Sequence, residues 1–163
     1  MLRRRQGDEP ARPEWEQRLL AARALIAAQH PPDWISGRLD VFHRGLADAV
    51  ADRDRLRGSL TQLDVDRAAR ELKDAMRNRR PGVEHERLVD SLRQRYETIN
   101  SLHNRVEELD VVIERSLADV DVLAARSIGL GSRDDAWRLD ETVRRLDDDL
   151  TALERAHDEL ADL

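Results

Sequence analysis

The stretch LERAHDEL, residues 153–160, sets Glu154 and His157 three positions apart. On a helix that spacing turns a carboxylate and an imidazole towards one metal ion. Di-metal carboxylate bundles use such a pair twice and add a Glu from each of two further helices. Asp40 and His43 repeat the spacing with the shorter carboxylate, while Glu97, Glu107, Glu108 and Glu114 all sit off the apolar repeat of their segment, and Glu154 sits beside its own. The ligand set is incomplete, so no metal and no cofactor is expected. His157 falls on the apolar repeat itself. A polar residue there fixes helix register or pairing, and an imidazole makes the packing sensitive to pH. Arg53, Arg95 and His85 hold equivalent positions elsewhere in the chain.

Other chemistry is thinner. The absence of cysteine excludes disulfides and thiolate catalysis. Gly129-Leu130-Gly131-Ser132 is glycine-rich, but no strand precedes it as a phosphate loop requires. No serine or threonine has a recognisable base and orienting acid nearby in sequence. A non-enzymatic protein is the expectation.

The elements that position these residues are written in the hydropathy. With 38% charged and 3% aromatic residues in 163, the composition is that of long helices with narrow apolar seams. Apolar residues recur at 3–4 spacing and predict five helices, near 14–30, 33–63, 65–80, 83–128 and 134–162. The first carries Trp15, Leu19, Ala22 and Ile26 on one face and stops at His30-Pro31-Pro32. In the second the seam runs Ile35, Leu39, Phe42, Leu46, Ala49, Arg53, Leu56, Leu60 and Leu63, with Asp33 placed to cap it. Asp64 signals a third helix, or a kinked continuation of the second, carrying Val65, Ala69, Leu72, Met76 and Arg79, and Pro81-Gly82 ends it. The fourth keeps one register from His85 and Leu88 to Leu123 and Ser127, and would span roughly 70 Å. Ser132 and Asp135 then resemble a capping box for the fifth.

Segment lengths suggest an arrangement. Residues 33–80 and 83–128 are nearly equal and match as two arms of an antiparallel hairpin. The shorter first and last helices can cover only the far part of it. The expected fold is all-α, an elongated antiparallel coiled-coil hairpin widening into a three- to four-helix bundle at one end. A flexible segment, 1–13, would precede a single helical domain, 14–163.

On that plan two helices alone must cover Leu88, Val89, Leu92, Tyr96 and Ile99 near the hairpin tip, a stripe too wide for one partner helix. Arg77, Arg79, Arg80 and Arg87 make the tip basic. With Met76, Leu88, Leu92 and Tyr96 they form the candidate partner-binding set, within a surface spanning residues 65–99. The partner expected is another protein or a second copy of the chain. No nucleic acid is expected, because the chain carries a net charge of −6 and lacks an interleaved aromatic series. Eleven carboxylates against four arginines over 134–163 place that acidity in the last helix.

Residues 1–30 offer a peripheral membrane contact, since Arg3-Arg4-Arg5 precede an amphipathic segment. Glu14 and Glu16 on its polar face favour packing onto the bundle instead. No apolar run approaches the roughly 20 residues of a membrane span, and MLRRRQGDEP leads into no signal-peptide core, so a cytoplasmic location is expected. The layout over residues 14–128, an amphipathic helix before a long helical hairpin, resembles the phage-shock PspA and ESCRT-III membrane-remodelling group. That resemblance would imply a membrane-surface polymer. The leading expectation from the residues is a coiled-coil adaptor or scaffold acting through its tip, and a bundle-core metal enzyme comes third.

Overall fold

A computed structural model of the chain describes residues 12–78, 80–128 and 133–161, the last stretch without the side chains of 133–139, 156, 157 and 159–161. Among the described residues the fold is all-α. Its helices are α1 (Glu14–Ala27), α2 (Asp33–Leu60), α3 (Val65–Arg77), α4 (Val83–Ile128) and α5 (Arg133–Ala161). Helix number and order follow the apolar repeat, and four of the five stop or start slightly differently.

Local chemistry sets those ends. α1 closes three residues early because Gln29 and His30 donate to Ile26 and Ala27 in tighter i→i−3 bonds, and His30 has a positive φ of 51° immediately before Pro31. A proline disfavours helical geometry in the residue before it. α2 begins at Asp33 itself and unwinds at Leu60 rather than Leu63. There Gln62 and Leu63 again bond three residues back, and Thr61 donates its hydroxyl to the Gly58 carbonyl at 2.6 Å. Asp64 caps α3 by accepting the Arg67 amide at 2.8 Å, an arrangement worth about 1 kcal/mol. α3 ends at Arg77, and Gly82, with φ 141°, takes a backbone conformation closed to side-chain-bearing residues before α4 starts. The turn residues 129–132 expected to cap α5 lie outside the described residues.

Two compact units are formed, with α2, α4 and α5 each divided between them. The first takes the chain up to His43 and Ser116–Asp148. It buries Leu19, Ala22 and Ile26 of α1, Ile35, Leu39 and Phe42 of α2, Leu117, Val120 and Leu123 of α4, and Val143 and Leu146 of α5. Each of the larger side chains contributes roughly 2 kcal/mol. Polar links join neighbouring helices around this core: Arg18 to Asp121 at 2.6 Å, Arg38 to Asp147 at 3.2 Å, Arg23 to Asp40, and Arg126 to the Thr142 hydroxyl. The apolar face of α1 is thus committed to its own unit.

The second unit takes Arg44–Arg115 and Asp149–Leu163. Leu46, Ala49 and Val50 of α2, Ile99, Val106, Leu109 and Ile113 of α4, and Leu153 of α5 form its core. Gly45 lies so close to α5 that a Cβ there would fall 2.1 Å from Leu150 Cδ1. Asp149, almost fully buried, pairs with Arg115, and buried Asp52 with Arg55 at 2.6 Å. From Arg53 to Thr98, Ala68 is the one buried residue among those described.

Candidate functional site

α3 and α4 meet Pro81-Gly82 in a thinly packed stretch of the molecule. Packing here relies on charge as much as on apolar contact. Glu71 accepts from Arg67 one turn earlier at 2.8 Å and from Arg95 of α4 at 2.7 Å, which ties α3 to α4. The Arg67 hydrogen bond holds the Glu71 carboxyl below its ordinary value of 4.5; desolvation opposes that shift and the charge of Arg95 adds to it.

Along the start of α4 the more covered series is His85, Val89, Leu92, Tyr96 and Ile99. The expected seam instead passed through Leu88 and Arg95. Leu88 is half exposed, at 50%, and Arg95 points out to its ion pair. Both series satisfy a 3–4 repeat, and the direction from which α3 approaches selects between them. Met76 and Val83 are also exposed, at 54% and 62%. With Leu88 they are the exposed large apolar residues on the helix ends flanking the turn.

Two concavities share Met76. One, of about 320 Å³, is lined by Ala69, Leu72, Lys73, Met76, Arg77 and Tyr96. The other, of about 440 Å³, is lined by Met76, His85, Glu86, Val89, Asp90 and Arg93. The Nε2 atom of His85 is buried and has no hydrogen-bond partner among the described residues. Of the predicted set, the structure brings Met76, Arg77 and Tyr96 together in one groove. Leu88 and Leu92 lie on α4 outside both linings, Arg87 pairs with Glu84 at 3.1 Å, and Arg80 is exposed. Arg79 lies outside the described residues.

The sequence pattern did not single out Lys73 as a wall of this groove, nor Ala69 and Leu72 as its floor. The i, i+4 spacing of Lys73 and Arg77, together with Ala69-Leu72-Met76 at 3–4 spacing, was the available signal.

The polar residues of the apolar repeat take separate roles. Arg53 is largely covered, with 18% of its side chain exposed, and reaches Asp54 at 2.7 Å and Asp110 at 3.4 Å. Asp110 also receives Arg57 of α2. Arg95 serves the Glu71 link. The side chain of His157 lies outside the described residues. Asp40 and His43 both face Arg23, whose guanidinium pairs with the carboxylate and approaches His43 Nδ1 at 3.4 Å, while Trp15 meets the imidazole edge-on at 5.9 Å. A cation in that place opposes metal binding. Among the described residues no three His, Asp or Glu side chains converge, and no helix is long and apolar enough to cross a membrane.

Comparison of the chain with protein-family models, curated proteins and solved structures found no match.

Proposed function

We propose that this protein is a non-enzymatic coiled-coil adaptor or scaffold, binding another protein or a second copy of itself through the surface around Pro81-Gly82. The observation that carries this reading is the exposure of Met76, Val83 and Leu88 on the helix ends flanking Pro81-Gly82, with Met76 lining a groove together with Ala69, Leu72 and Tyr96. Exposed apolar side chains gathered on one stretch of the chain mark interaction surfaces more often than scattered single ones do. The reading takes α2–α3 and α4 as the two arms of an antiparallel coiled-coil hairpin. In its support, the residues paired across the arms grow closer in sequence towards the turn: Arg53 with Asp110 across 57 positions, Arg57 with Asp110 across 53, and Arg95 with Glu71 across 24.

Two exposed positions give the test without disturbing the core. A Met76→Asp, Leu88→Asp variant is expected to melt like the parent protein. If the surface joins two copies, light scattering behind size exclusion gives a concentration-dependent dimer mass for the parent and a monomer mass for the variant. If it takes another protein, the parent is monomeric and partner capture is lost in the variant. Unchanged assembly together with unchanged capture removes the surface from the function. Vesicle co-sedimentation that is abolished by Trp15→Glu and unaffected by the double variant would replace the adaptor with a membrane-surface role.

A further inference from the structure

Resting on that reading, we infer that the groove between α3 and α4 takes an acidic amphipathic helix of another protein, its apolar face on Ala69, Leu72, Met76 and Tyr96 and its carboxylates against Lys73 and Arg77. Charge is the first argument. Lys73 and Arg77 stand one turn apart, about 6 Å along α3, and both are exposed. Neither has an ion pair among the described residues, whereas Arg67, Arg70, Arg87, Arg93 and Arg95 nearby all have one. Arg80, likewise exposed and unpaired among the described residues, extends the cationic edge towards the turn. An incoming helix with Glu or Asp at i, i+4 would match the Lys73–Arg77 repeat, and the same repeat would repel a basic one.

The described part of α5 argues against a second copy as the occupant. A second copy would have to offer its acidic helix, α5. From Arg144 to Asp158, every exposed described residue of α5 is polar, while Val143, Leu146 and Leu153 are buried in its own fold. Over those residues the helix offers carboxylates without an exposed apolar face. The partner must supply both.

A displayed library tests this on the full chain. Its helices would carry leucine at i, i+3, i+4 and i+7, with the flanking positions free to be Glu, Gln or Lys, and helices that bind the Met76→Asp variant equally well would be removed. Enrichment of Glu at i, i+4 flanks supports the inference. The best such peptide should bind about tenfold more weakly to a Lys73→Glu, Arg77→Glu protein, and that protein should in turn select Lys. Selection of Lys or Gln by the parent protein overturns the acidic partner while leaving the groove as a docking site. No helix that distinguishes the parent from Met76→Asp overturns both. Binding to phosphatidylglycerol vesicles that Lys73→Glu, Arg77→Glu abolishes would assign the cations to a lipid surface instead.

Discussion

Glu71 is the residue on which the α3–α4 contact turns, because one carboxylate serves Arg67 on its own helix and Arg95 on the other. Its folded-state acidity is increased, so the charged form is favoured by folding. The stabilisation is therefore present above the ordinary value of 4.5 and is lost as pH falls through the lower folded value. A Glu71→Gln protein lacks this linkage. The gap in urea midpoint between parent and variant should close on acidification below pH 4.5; a constant gap would show that the link contributes nothing to folding. His85 is the opposite case. Its buried Nε2 lacks a partner among the described residues, which costs free energy without return in the isolated chain. His85→Leu should raise unfolding stability by about 1 kcal/mol in denaturant titration, and a loss of stability would mean that the imidazole is satisfied.

At the level of elements, α2 carries glycine at 37, 45 and 58, three positions that look alike in sequence and differ in surroundings. A Cβ at Gly37 or Gly58 meets nothing within 4 Å, while at Gly45 it collides with Leu150. Alanine should therefore stabilise α2 at positions 37 and 58 by about 0.5–1 kcal/mol each. At 45 the gain in helix propensity is offset by the movement forced on the Leu150 methyl, so alanine there should stabilise less than at 37 or 58. Leu150→Ala combined with Gly45→Ala should couple favourably in a double-mutant cycle, and additivity would deny the contact. The helix pairs rank similarly. Asp149 keeps only 5% of its side chain exposed against Arg115, whereas Asp140 keeps 49% against Arg144. Removing Arg115 should cost about 1–2 kcal/mol, since its guanidinium is itself half in water, and removing Arg144 under about 0.5 kcal/mol.

Across the whole molecule the burial is uneven. Core residues crowd into 19–50, 99–124 and 142–153, and Ala68 stands alone between Arg53 and Thr98. Amide exchange follows local opening, and opening is easiest where few apolar contacts are lost. Amides of α3 and of residues 83–98 should exchange well before those of 99–113. Uniform protection through α4 would mean that something beyond apolar burial holds the turn region closed. A surface for partners is well placed on such a stretch, because binding there can add order that the chain alone does not supply.

Much of the local structure was legible in the residues. Helix content, the order of five helices, the α2–α3 break before Asp64 and the start of α4 after Pro81-Gly82 all follow from a 3–4 apolar repeat, a capping carboxylate and two residues with restricted or special backbone geometry. Those signals act within a turn or two of the chain, so the sequence by itself determined them. Which of two equally good repeats faces inward was decided elsewhere. Val89 and Tyr96 are covered and Leu88 is not because α3 approaches from one side, and Lys73 and Arg77 line a groove because Tyr96 of another helix supplies its opposite wall. The crowding at Gly45 arises from Leu150, more than a hundred residues away. Contacts between segments far apart in sequence depend on how helices are set against one another, and no local periodicity encodes that setting.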